Sequence, residues 1–302
     1  MTEETIDAAA AGTWKLGDLE INRIGFGAMR LTQDGAAFAP GAAPSDRNRA
    51  IGVLRRAVEL GVNHIDTAAF YFSPLRSANE LINRALAPYP DDLVITTKVG
   101  PGRGPSGEWL DHATPEQLRG QVEENLRQLG RDHLDVVNLR IVGTDSIAER
   151  FGALAELRDA GLIRHLGVSN VTPEHLAEAR AIAPVVCVQN QYGIGVRPEY
   201  DAFVRDCGDL GIAFVPFYSI AGTRREAGGG GADHPELLTV ARAHGASAVQ
   251  VRLAWTLHQG PHVLAIPGTG NPDHLVANVA AGALRLTDEE LDVLNALHRR
   301  VA

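Results

Sequence analysis

Four times in this chain an amphipathic helical pattern runs into a single glycine and then directly into a β-rich apolar run: AVELGVNHID, LRQLGRDHLDVVNL, LRDAGLIRHLGV and CGDLGIAFVPF. The glycines Gly61, Gly130, Gly161 and Gly211 stand where a helix ends in a left-handed residue, a conformation that carries no steric cost for glycine alone. Helix starts are marked as well. Thr114 with Gln117, Ser146 with Glu149 and Thr287 with Glu290 have capping-box spacing, and Leu118, Val122, Leu126 and Leu129 then trace one apolar face. The apolar runs give eight strand candidates, near 24–28, 62–66, 93–98, 134–139, 163–168, 185–189, 212–217 and 263–267. Strands that alternate with helices pair in parallel and are covered on both faces, so they read as nearly continuous apolar runs. Eight such units in 302 residues point to an α/β fold, a closed (β/α)8 TIM barrel. An open doubly wound sheet is the alternative, weakened by the lack of a GxGxxG after the first strand.

The stretch TWKLGDLEINRI, ahead of the first barrel strand, reads as a β-hairpin turning at Gly17 and Asp18 and set against the barrel's bottom. Residues 1–12 are expected to be a flexible tail and 13–302 a single domain. The tract AGGGGADH at 227–234 is too rich in glycine to hold a fixed shape and is expected to be a mobile loop over one end.

A formal charge of -9 argues against nucleic acid or an anionic membrane surface as partner, since both reward a basic patch. A small soluble substrate fits better. Only Cys187 and Cys207 are present, with no CxxC and no His/Cys ligand spacing, so neither a disulfide framework nor a metal site is expected. That favours a reducing, cytoplasmic setting. No apolar stretch approaches the length of a membrane span, and the first residues lack the basic flank and apolar run of a signal peptide.

In a (β/α)8 barrel the chemistry gathers where strands end and the following loops begin. Strand two ends at Asp66 with Tyr71 in the loop beyond, strand three at Lys98 and strand four at Arg140. Strand five ends in Ser169 and Asn170, strand six in Gln189, and strand seven in Phe217, Tyr218 and Ser219. Each polar end has a plain reading as a solvated boundary residue or half of an ion pair. Four ionisable groups on one rim make coincidence a weaker account. A phenol titrates near ~10, and an adjacent ammonium lowers that value. Lys98 is therefore expected to make Tyr71 able to give up a proton near neutral pH, with Asp66 keeping Lys98 charged and aimed.

The motifs GVNHIDTAAFY, ITTKVG, GLIRHLGVSN, VQNQY and IPGT, in this order, resemble the aldo-keto reductases, (β/α)8 barrels that reduce carbonyls with a nicotinamide cofactor. The resemblance spans nearly the whole chain. It implies that Tyr71 is the proton donor with Lys98 and Asp66 its activating pair, and that NADPH supplies hydride to an aldehyde or ketone. It implies further that Ser169, Asn170 and Gln189 hold the nicotinamide carboxamide, that Phe217 stacks on the ring, and that Gly27, Ala28, Met29, Asp66, Tyr218, Ser219 and Ile220 also meet the cofactor. Met29, Phe70, Tyr71 and Trp109 can line an apolar substrate pocket, although Trp109 reads equally well as a loop anchor.

Two positions depart from the family pattern. The commonest fourth catalytic residue is a histidine five residues after the aspartate of strand four, and that count from Asp135 lands on Arg140. A guanidinium is a permanent forked donor, suited to polarising a carbonyl, anchoring an anionic substrate group or forming a structural pair with Asp135 or another rim acid. The VVNLR form resembles a bacterial subgroup that includes pyridoxal reductases, whose substrate carries a phenolic oxygen beside the aldehyde. At the adenosine end, where many members grip the NADPH 2′-phosphate with Lys and Arg, this chain has Gly268 and His274. Thr269, His274 and Asn278 remain as contacts, and the missing cations leave NADH open as coenzyme. A nucleotide-holding sensor or interaction subunit is the alternative from another class, and a metal-dependent hydrolase lacks clustered ligands at the strand ends.

Overall fold

The computed structural model describes residues 6–35, 37–38, 42–104, 106–220 and 233–300. The glycine-rich tract at 227–234 lies outside them except for Asp233 and His234. Near the N-terminus β1 (Thr13–Leu16) and β2 (Leu19–Asn22) pair antiparallel, with Leu16 opposite Leu19. Gly17 makes the reversal at a φ of +67°, and a side chain there would strike the ring of His165.

The strands that follow in chain order are β3 (Phe26–Gly27), β4 (His64–Asp66), the short antiparallel pair β5 (Phe72–Ser73) and β6 (Arg76–Ser77), β7 (Val94–Val99), β8 (Leu134–Arg140), β9 (Ile163–Ser169), β10 (Val185–Gln189) and β11 (Ala213–Phe214). Seven of them make one parallel sheet in the order β11-β10-β9-β8-β7-β4-β3. The eighth apolar run forms no ladder. Single parallel bridges join it to both ends of the sheet, Phe214 with Val263 and Ile24 with Ala265.

Helices fill the connections, among them Arg47–Glu59, Pro115–Leu129, Ala148–Asp159 and Pro173–Ile182. The four glycines close their helices in the left-handed region, with φ of +78° at Gly61, +65° at Gly130, +81° at Gly161 and +69° at Gly211. The larger apolar cluster lies between helices and sheet, and every residue of β7 is buried, as strands covered on both faces require. A second cluster joins Leu16 and Ile21 of the N-terminal ribbon to Val94, Val136, Cys187, Ala213, Val215 and Leu264, so the ribbon packs against the inner side of the sheet.

Three expectations are corrected. Residues 7–11, expected within a flexible tail, are ordered: Asp7 caps a short turn over Ala8–Ala11 and the Ala8 amide donates to the Leu60 carbonyl at 2.8 Å. Alanine methyls are small enough for this backbone to pack, and Ala8 is fully buried. Of the three capping boxes, those at Thr114 and Thr287 form. The one at Ser146 does not: Glu178 from the next helix bonds the Ser146 hydroxyl and the Ile147 amide, and the helix starts at Ala148 with no side-chain cap from the Ile147 position. The eighth apolar run lies at the expected place without being a regular strand.

Candidate active site

Asp66 is the last residue of β4 and Lys98 the fifth of β7; the register pairs Asp66 with Thr96. A two-residue period returns the side chain to the same face, so Lys98 leans over Asp66 one step nearer the strand end. Lys98 Nζ donates to Asp66 Oδ1 at 2.6 Å and to the Thr67 carbonyl at 2.9 Å. Gln189 Nε2, from β10, donates to Asp66 Oδ2 at 2.7 Å. The Lys98 and Asp66 side chains are only 2% and 4% exposed. A carboxylate so buried is tolerable because both its oxygens have donors, one of them charged.

Tyr71 lies in the loop after β4, its amide bonded back to the Ala68 carbonyl and its carbonyl accepting from the Ala78 amide. Lys98 Nζ stands 4.9 Å from the centre of the Tyr71 ring. Burial pushes the phenol's pKa up, and the opposing pull of Lys98, by charge and by hydrogen bond, does not cancel it. The expected acidification of Tyr71 is therefore reversed, because desolvation by the rings around it outweighs the cation. Burial also works against the Lys98 ammonium, but Asp66 and Tyr71 overcome it and its pKa lies above the ordinary 10.5. The ammonium stays charged and the phenol stays protonated at neutral pH.

Arg140 ends β8 and points its Nη1 at Ser169 Oγ, 3.3 Å away, with its guanidinium 5.0 Å from the centre of the Phe217 ring. It forms no ion pair among the described residues. Asp135 cannot reach it, being five residues back along the strand, roughly 16 Å. Asp135 is instead held by Arg131 at 3.1 Å and by the Ile95 amide at 2.8 Å. The structural-pair reading of Arg140 with Asp135 is thus removed, and Arg140 shares the rim with Tyr71, whose pKa its charge also lowers.

The residues expected to meet a cofactor fall along the same rim. Ser169 and Gln189 are fully buried or nearly so, and Gln189 Oε1 is a buried acceptor with no protein partner. Asn170 sits at a φ of +60° and anchors itself through Nδ2 to the Ile141 carbonyl. Phe217 is bonded through its amide to Asn190 O, and Tyr218 follows at a φ of +62°, with Ser219 buried and Ile220 half-buried beyond it. Gly27 and Gly268 meet backbone to backbone: a Cβ at 268 would lie 2.4 Å from Gly27 O, so a lysine there would need the Gly27 peptide to move. Ala28 is buried and Met29 packs on the core beside it. Thr269 Oγ1 accepts from the Asn271 amide at the start of the helix Pro272–Ala280; on that helix His274 is exposed and Asn278 buried.

Three aromatic rings close a circuit with the phenol. Tyr71 meets Phe38 at 5.8 Å and Phe70 at 5.2 Å between ring centres, and both meet Trp109, at 5.4 and 5.9 Å. Trp109 links the loops that carry Phe38 and Phe70, with 54% of its surface exposed. Phe38 and the arginine behind it, Arg103, escape sequence reasoning because their loops carry no periodic signal; the one available hint is a lone basic residue in GPGRGPSG. A separate cleft of about 390 Å³ at Thr144, Ser146, Thr172, Glu174, His175 and Glu178 offers no comparable chemistry, since His175 and Glu178 are occupied in bonds to the Thr172 and Ile147 amides. No group of three or more metal-ligating side chains occurs among the described residues, and no helix of theirs is long and apolar enough to cross a membrane.

Known proteins resemble this chain over most of its length. The aldo/keto reductase family model matches residues 23–299. A pyridoxine 4-dehydrogenase of Escherichia coli is 44% identical over 297 residues, covering 96% of this chain and 99% of that one. A thermostable aldo-keto reductase solved with the inhibitor epalrestat superposes with a TM-score of 0.78 at 30% identity, over 94% of this chain and 99% of its own. An aldo-keto reductase from Klebsiella pneumoniae solved with NADPH does so with a TM-score of 0.76 at 28% identity, over 94% of each chain. The chain belongs to the aldo/keto reductase family and is an NAD(P)H-dependent oxidoreductase.

Proposed function

We propose that this protein reduces an aldehyde to an alcohol with NADPH as hydride donor, that Tyr71 gives the proton, and that the substrate is an aromatic aldehyde of the pyridoxal kind. The observation that carries the reading is the buried Asp66–Lys98 pair set against the Tyr71 ring. NADPH fits the residues present: Gln189 Oε1 offers a free buried acceptor to a carboxamide, with Ser169 and Asn170 as its neighbours in the fold and Phe217 as a face for the ring. Bound NADPH supplies the hydride. The similar solved chain that holds NADPH supports the coenzyme choice, whereas between 268 and 278 the only ionisable side chains are Asp273 and His274, so the grip on a 2′-phosphate is weak. The segment 263–266, bridged to both ends of the sheet, acts as the eighth strand of a closed barrel whose bottom is plugged by the β1–β2 hairpin.

The chain's own residues then act as follows. Tyr71, kept neutral by burial, holds its proton toward the substrate oxygen. As that oxygen gains negative charge, Lys98 stabilises the phenolate left behind, and Asp66 keeps Lys98 in place. Arg140, permanently charged and without an acid partner among the described residues, faces the same space and suits a phenolate beside the aldehyde, as in pyridoxal. The pyridoxine 4-dehydrogenase relative favours that substrate class. Tyr71→Phe should keep NADPH binding by fluorescence titration and lose about 10²–10⁴-fold in kcat. Undiminished turnover in that variant would end the assignment. A sensor in place of an enzyme would oxidise bound NADPH once and stop, so multiple turnovers decide against it.

A further inference from the structure

Arg103 stands outside the reacting groups, yet it touches more of the site's wall than any of them. Its Nη1 donates to the carbonyls of Phe70 at 3.3 Å and Phe72 at 2.6 Å, the two residues on either side of Tyr71. Its Nε donates to Gly107 O at 3.1 Å. Its guanidinium lies 4.9 Å from the ring centre of Phe38, 4.7 Å from Phe72 and 5.6 Å from Trp109. Three loops that share no strand or helix are thereby fastened at one planar, forked group, a task for which the compact ammonium of lysine lacks both the fork and the flat face. Phe38 is held at a φ of +62°, costly for a bulky side chain and sustained where surrounding contacts over-determine it. Those contacts are Tyr71, Trp109 and Arg103.

We propose that Arg103 is the positioning residue of this site, fixing both the backbone on either side of Tyr71 and the Phe38–Trp109 wall, and that this wall selects planar aromatic aldehydes over aliphatic ones of similar reactivity. Edge-to-face packing on such rings rewards an aromatic partner beyond its buried area. The inference rests on Tyr71 as proton donor. The experiment measures kcat and KM for 4-nitrobenzaldehyde and butanal, with NADPH, in Arg103→Ala, Arg103→Lys and Phe38→Gly. Arg103→Ala should lower kcat for both aldehydes together, through displaced Tyr71, and raise KM at least tenfold for 4-nitrobenzaldehyde alone. Arg103→Lys should recover less than a third of either loss. Phe38→Gly removes the ring while relieving its backbone, so it folds whatever becomes of the arginine variants, and should raise KM for 4-nitrobenzaldehyde at least fivefold more than for butanal. An unchanged ratio of kcat/KM between the two aldehydes in Arg103→Ala or in Phe38→Gly would overturn the proposal. If the ratio falls as stated while Tyr71→Phe remains fully active, the wall stands and the proton-donor assignment fails instead.

Discussion

Replacing Lys98 by methionine removes a charge from a pair that is nearly dry. The substitution leaves the Asp66 carboxylate with the Gln189 amide as its remaining side-chain donor. Breaking one side of a buried pair costs about 3–5 kcal/mol, because the other charge stays behind without compensation. For a chain of this length that corresponds to a fall in Tm on the order of 10 °C. Adding Asp66→Asn removes the stranded charge and should return most of the stability, since Gln189 can still donate to the amide oxygen. Lys98 has its pKa raised in the folded state, so its contribution is fully present below the ordinary 10.5 and is lost as the pH climbs past it. The parent's advantage over Lys98→Met should therefore shrink in strongly alkaline buffer. Activity should behave differently from stability: kcat/KM should fall about 10²–10⁴-fold in Lys98→Met and stay low in the double variant, because the ammonium that most stabilises the phenolate is missing from both. Urea unfolding and initial rates on the same preparations supply both readings. A single variant within about 1 kcal/mol of the parent, with no recovery in the double, would refute the argument that the pair is coupled and desolvated.

Three further outcomes are expected. Burial, with Lys98 adding to it and Asp66 opposing it, holds His64 down to about 4 from 6.5; the unfolded chain takes up its proton first as pH falls, so His64 costs about 3 kcal/mol of stability by pH 4. His64→Gln should flatten that part of the acid decline in urea midpoints measured at pH 7.5 and 4. Arg140→Met should lower kcat/KM for pyridoxal at least tenfold more than for benzaldehyde, the scale of a lost charged hydrogen bond of about 1.5–3 kcal/mol; an equal response from both aldehydes would deny Arg140 an anion-anchoring role. His274→Arg places a forked cation on an exposed helical position and should raise the NADPH-to-NADH ratio of kcat/KM about tenfold, whereas an unmoved ratio would mean that the 2′-phosphate binds elsewhere.

What the sequence makes legible here is what a strand makes regular. Asp66, Lys98, Arg140, Ser169 and Gln189 each close an apolar run, and an alternating side-chain period places them on one rim once the runs are taken as neighbours. The four capping glycines are legible for a similar local reason, since only a left-handed turn explains a glycine between a helical face and a strand. Where the answer depends on a neighbour far along the chain, local pattern is silent: Ser146 with Glu149 is a sound capping box until Glu178 arrives from another helix. Phe38 and Arg103 meet across loops 65 residues apart in sequence, and no spacing rule brings them together. The same limit explains the inverted sign at Tyr71. A lysine beside a phenol argues for acidity, and that much is local chemistry. The amount of water excluded by Phe38, Phe70 and Trp109 is a tertiary quantity, and it wins, leaving Tyr71 only 8% exposed and its proton retained. A retained proton is what a donor needs in the reductive direction. The ammonium, too weak to ionise the phenol at rest, then has its full effect when transfer to the carbonyl oxygen leaves a phenolate beside it.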